Sequence, residues 1–156
     1  MNSVDTNTVT GTGLTPGQRD DLRAIAAMMI PESAEYRVPG ADDPMIQADI
    51  LATLGRDATR VREALDHIGR LAGQPLAALD AQRREAVARE FRESGGVAAA
   101  TLVRVVLQCY YRDDRVLRSL KLEPRAPFPL GHTLEQGDWS LLDPVKARPS
   151  MWRRAP

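Results

Sequence analysis

The sequence predicts an all-α protein: a single domain of about five helices followed by an irregular, proline-rich C-terminal tail. Three observations carry this. Apolar residues recur at i, i+3, i+4 and i+7 in successive segments, no segment shows sustained period-two alternation, and the segments are separated by residues that start and stop helices. At 156 residues the chain is long enough to bury one real core and too short for two generous ones. The expected division is a flexible leader over 1–13, a helical domain over 14–122, and an extended tail over 123–156 that packs on the domain or on a partner.

The first helix is announced by Thr15 as N-cap, Pro16 at the first helical position, and Gln18 at the spacing of a capping box. Leu22, Ile25, Ala26 and Met29 share one face, and Pro31 stops it. A connection punctuated by Pro39-Gly40 leads to Asp43-Pro44, which open a second helix over 44–54 with Ile46, Ile50, Leu51 and Leu54 inward. Gly55 ends it. Val61, Ala64, Leu65, Ile68, Leu71 and Ala72 make the cleanest stripe in the chain, opposite Arg60, Glu63, His67 and Arg70, with Gly73 as C-cap. After a turn over 75–79, Asp80 N-caps a fourth helix anchored by Val87 and Phe91. Gly95-Gly96 break that helix. A last one is expected over 97–120, with Leu102, Val105, Val106, Cys109 and Tyr110 on one side and Val116, Leu117 and Leu120 extending the apolar surface.

Composition removes several classes of function. The apolar fraction of 43% and charged fraction of 27% are those of a folded chain. Twenty-one basic and 21 acidic residues cancel, so no broad field is present to hold a polyphosphate backbone, and nucleic acid is disfavoured. A helix-turn-helix reading meets the same objection, because Glu85, Glu90 and Glu93 interleave with Arg83, Arg84, Arg89 and Arg92. Only Lys121 and Lys146 are lysines; the remaining positive charge is arginine, the residue better suited to protein interfaces. The single cysteine excludes an internal disulfide and a cysteine-based zinc cluster. The most apolar window, 97–111, is interrupted by Arg104 and Gln108, so no transmembrane segment is expected. The opening "MNSVDTNTVTGTGL" lacks the charged and apolar regions of a secretory signal.

Residues eligible for chemistry are few. Glu63 and His67 stand four apart on a helix, but two ligands make a poor metal site and both lie on the polar stripe. His132, in "PLGHTL", has no nucleophile at motif spacing, and hydrogen bonding to the tail's own backbone is its plainer role. Cys109 falls on an apolar stripe, where a thiol is a poor nucleophile. The pairs Asp20-Asp21, Asp42-Asp43 and Asp113-Asp114 diverge by about 100° on a helix and read as helix starts and surface charge. "GTG" and "SGG" lack the strand-to-helix context of a nucleotide site. No catalytic, metal-binding or cofactor-binding residue is therefore assigned to this chain.

The tail is the informative stretch. Its 34 residues from Glu123 hold six of the eleven prolines and both tryptophans, together with several large apolar side chains. Proline-rich segments lose little conformational entropy on docking, and tryptophan and arginine are common energetic anchors. Phe128, Leu130, Trp139, Leu142, Val145, Trp152 and Arg153 are accordingly the candidate partner-binding residues. Packing back on the domain's own helices is the alternative, and a free-standing helical regulator or small enzyme using residues near His132 is the second functional reading.

The punctuation of the chain resembles a known family. The helix ending in Ile30-Pro31, then Pro39-Gly40-Ala41 before a helix, and Tyr110-Tyr111 followed by Pro127, Pro129-Leu130-Gly131 and Leu142-Asp143-Pro144-Val145 are similar to the gluconate 2-dehydrogenase subunit 3 family. These are small, non-catalytic subunits of flavin-dependent sugar and sugar-acid dehydrogenases. The resemblance implies a partner, a flavoprotein large subunit of the glucose-methanol-choline oxidoreductase type that holds FAD and performs the oxidation. Members commonly begin with a twin-arginine export signal. Here the only arginine pairs, Arg83-Arg84 and Arg153-Arg154, precede no apolar stretch near the N-terminus, so a cytoplasmic complex is expected, or a periplasmic one if a leader is removed or export runs through the partner.

Overall fold

The computed structural model describes residues 13–126, 128–132 and 136–149, and it is all-α: among these residues there are seven α-helices and no strand beyond an isolated bridge between Ser33 and Val38. The chain divides into two compact units, one running to Pro124 and one beginning at Arg125.

In the first unit, α1 spans Pro16–Met29, α2 Pro44–Thr53, α3 Ala58–Ala72, α4 Ala81–Ser94, α5 Gly96–Tyr110 and α6 Asp114–Ser119. The starts of α1, α2 and α4 have the predicted caps, while α3 and α5 begin without a side-chain cap. Thr15 accepts from the Gln18 amide while the Gln18 side chain accepts from the Thr15 amide, closing the capping box on α1. Asp43 accepts from the amides of Met45 and Ile46, Asp80 from that of Arg83, and Asp113 from that of Arg115, which satisfies donors a helix start leaves orphaned. Gly73 ends α3 in the left-handed conformation at φ 71°, where a side chain would be strained.

α3 is the centre of the unit, packed against α1, α4 and α5, while α2 packs on α5. Leu22, Ile46, Ile50, Leu65, Ile68 and Leu102 are fully enclosed. Each such side chain contributes about 1.5–3 kcal/mol of burial. The connection between α1 and α2 is also tied down: Ala41 is buried, its amide donates to Ile30 at 2.8 Å, and the buried Gln47 side chain donates to the Ala41 carbonyl at 2.8 Å.

The structure differs from the sequence expectation at the last helix, which is two helices. The amides of Arg112 and Asp113 turn back to the carbonyls of Cys109 and Tyr110, ending α5, and the Asp113 carboxylate then caps α6. The extra cap yields six helices in this unit where five were expected. Leu120 lies beyond α6 and is exposed, not inward, while Met29, Leu51, Leu71 and Leu117 are half-buried at the edges of their stripes.

The described residues of the second unit are irregular apart from one helical piece. Asp138 caps a single 3₁₀ segment, Trp139–Leu142, which continues as α7 over Asp143–Lys146. Pro144 is tolerated there because it stands in the first turn, where its missing amide has no intrahelical acceptor.

Candidate partner-binding surface

The tail residues singled out in the sequence fall in two groups. Phe128 and Leu130 belong to a small loop closed by two long side chains: the Arg125 guanidinium donates to the Gly131 carbonyl, and His132 Nε2 donates to the Arg125 carbonyl at 2.9 Å. This gives His132 the backbone role expected of it. Nε2 faces a carbonyl, which accepts only, so that nitrogen carries the proton and is committed as a donor. Phe128 is 88% exposed and Leu130 81%.

Trp139, Leu142 and Val145 form the second group. They stand at i, i+3 and i+6 through the 3₁₀ turn and α7, a spacing that places them along one side of the segment. Trp139 is 65% exposed, Val145 is also exposed, and Leu142 is the least so. The Asp138 carboxylate fixes the start of the segment by accepting from the Ser140 amide and hydroxyl, contacts that hold its carboxyl below the usual range and keep it ionised. Trp152 and Arg153 lie outside the described residues.

Other candidates from the sequence find structural roles. Glu63 pairs with Arg60 at 2.7 Å and does not meet His67. The His67 ring departs from the solvated position expected of it: it is half-buried, set edge-on against Phe91 with ring centroids 5.7 Å apart. Among the described residues no group of three or more histidine, cysteine, aspartate or glutamate side chains gathers as metal ligands. Cys109 is buried beside Thr53 and the Arg112 guanidinium, and burial raises its thiol pKa, which suppresses the thiolate. Gly40, one of the residues carrying the family resemblance, is required by packing: a Cβ there would lie 2.9 Å from the Glu32 backbone nitrogen.

Two features of the helical unit were not singled out in the sequence. The first is an arginine–aspartate lattice beside Cys109. Arg115 bridges Asp43 at 2.8 Å and Asp113 at 2.9 Å, Arg112 reaches Asp49, and Arg118 pairs with Asp114. Arg115 is 72 residues from Asp43, so no local spacing could have disclosed the pair. Its hydrogen bonds hold the carboxyls of Asp43 and Asp113 below the usual carboxylate range and raise its own pKa. Since each of these arginines already faces a carboxylate, the lattice offers no uncompensated cation to an anion.

The second is an open groove of about 460 Å³ between α1, α4 and α5, with Ile25, Met28, Phe91 and Val103 among the apolar residues lining it and Glu85 and Arg92 at its polar edge. Its residues come from three helices, which is why no single stripe revealed it.

No protein-family model, no curated protein and no solved structure matches the chain.

Proposed function

We propose that this chain is a non-catalytic accessory subunit that binds and stabilises the FAD-containing large subunit of a dehydrogenase of the glucose-methanol-choline oxidoreductase type. The observation that carries the reading is the exposure of Phe128, Leu130, Trp139 and Val145 in a unit separate from the helical core. Large apolar side chains left uncovered along a short, proline-punctuated segment favour docking on another surface. The flavoprotein as partner rests on the family resemblance of Ile30-Pro31, Pro39-Gly40-Ala41 and Leu142-Asp143-Pro144-Val145.

In this reading the chain itself performs no oxidation. FAD and the reacting substrate belong to the partner, and the accessory subunit acts by mass action: whatever binds the folded partner and not its unfolded form shifts the partner toward the folded state. The test is affinity purification of the tagged full-length chain from its native host, followed by an absorbance spectrum and mass identification. The expected result is a yellow, FAD-containing protein of the large-subunit type in near-equal amount. A colourless chain purified without such a protein rejects the reading.

A further inference from the structure

The α1/α4/α5 groove is lined wholly by residues of the helical unit, so its shape is set by how those three helices pack. Its floor is apolar, with Ile25 and Met28 from α1, Phe91 from α4, and Leu102 and Val103 from α5. Methionine suits such a floor because its unbranched side chain adapts to the shape that enters. At about 460 Å³ the groove has the size of a small-molecule site, a class that spans about 300–1,000 Å³. A protein partner needs about 800 Å² of surface on each side, far more than a cleft of this size supplies. Size therefore selects a small molecule.

The polar edge selects the sign of that molecule's charge. Glu85 and Arg92 stand seven residues apart on α4, two turns along one side and about 10 Å by helical rise. Glu85 has Arg89 four residues on, a cation at the spacing where helical side chains meet. Arg92 has Ala88 and Arg89 one turn back and Gly95 and Gly96 one turn ahead, so its own helix offers it no carboxylate. Among the described residues its guanidinium has neither a hydrogen bond nor an ion pair. The negative end of α4 and the positive end of α5 meet beside it and offset each other. In contrast to the arginines of the lattice, Arg92 is thus an uncompensated cation, and it stands at the end of an apolar cleft.

We infer that the groove binds an amphiphile with one hydrocarbon chain and an anionic head, the chemistry of a long-chain carboxylate. The head pairs with Arg92, and the hydrocarbon lies over Phe91, Met28 and Ile25. Glu85 repels a carboxylate at its own end, which leaves one orientation. The inference concerns the helical unit and does not rest on the accessory-subunit reading.

Isothermal titration calorimetry of the full-length chain with dodecanoate, kept below its micelle concentration, tests it. Binding of one molecule per chain is expected, with a dissociation constant of about 100 µM for a ligand of this size. Acetate, which lacks the hydrocarbon, and dodecyltrimethylammonium, which carries the opposite charge, should each bind at least about tenfold more weakly. Arg92→Gln raises the dodecanoate constant about tenfold, as loss of a charged hydrogen bond does, and Arg92→Lys recovers most of that loss because the charge is kept. Ala100→Trp fills the groove and removes binding. Arg92 and Ala100 are both exposed, so the variants keep the fold of the helical unit. Absence of dodecanoate binding overturns the inference, and so does equal binding of dodecyltrimethylammonium. Indifference to Arg92→Gln removes the anionic head from the site. Binding that persists in Ala100→Trp places the ligand outside the groove and equally overturns it.

Discussion

Ile68 and Trp139 are both large apolar residues on helical segments, yet Ile68 is wholly enclosed and Trp139 is 65% exposed. The difference lies in what surrounds them. α3 is flanked by α1, α4 and α5, each satisfying its own backbone hydrogen bonds, so apolar faces can meet with no polar group stranded between them. The second unit has prolines at 127, 129, 144, 149 and 156, and its described residues hold one short helical piece, which offers no second layer to cover the apolar side chains beside it. Apolar residues alone therefore do not make a core; they need regular neighbours on several sides.

The strongest way to break this comparison is a pair of truncations measured by urea denaturation. Ile68→Ala is expected to cost about 2–5 kcal/mol, through lost burial and the cavity left behind. Trp139→Ala in the isolated protein at low concentration is expected to stay within about 0.5 kcal/mol. Equal losses at the two sites would mean that the tail belongs to the stabilising core.

A second test concerns the α1–α2 connection. Gly40→Ala forces a Cβ against the Glu32 backbone and is expected to cost about 1–3 kcal/mol, since backbone yields less readily than a side chain. An unchanged midpoint would show that this loop relaxes at no cost.

The arginine lattice sharpens the comparison through pH. Arg115→Gln removes charged hydrogen bonds to Asp43 and Asp113 and is expected to cost about 2 kcal/mol near neutral pH. Both carboxyls titrate below their unfolded value, so their contribution is fully present above about pH 5 and is lost as the pH falls through the folded values. The variant should therefore lose less stability than the parent between about pH 5 and 2. Parallel acid limbs in the two proteins would contradict the bridge.

The smallest effect is expected at His132→Ala, which removes one hydrogen bond within an exposed loop and should move the midpoint by less than about 0.5 kcal/mol. The same variant, tested in the affinity purification, should retain the partner in full. Loss of a measurable activity of the chain on this substitution would instead favour the small-enzyme reading built on His132.

Local chemistry made most of the helical unit legible. Thr15, Asp43, Asp80 and Gly73 act through neighbours one to four residues away, and the stripe from Val61 to Ala72 repeats at the helical period, so both were visible in a linear string. The division between α5 and α6 was less legible because Leu102 to Val116 keeps an apolar pattern across the break, although Asp113-Asp114 already carried the capping signal. The exposed tail candidates were legible as residue types, and their setting was not.

The sequence by itself determined where the first four helices begin and end, which faces are apolar, and that the tail is too rich in proline to become a regular layer, because these follow from short-range sterics and hydrogen bonding. Only the tertiary structure decided that Arg115 joins Asp43 to Asp113, that His67 turns its ring onto Phe91, and that three separate helices leave a groove beside Glu85 and Arg92. Those contacts join residues up to 72 positions apart, and their distances are set by how whole helices pack.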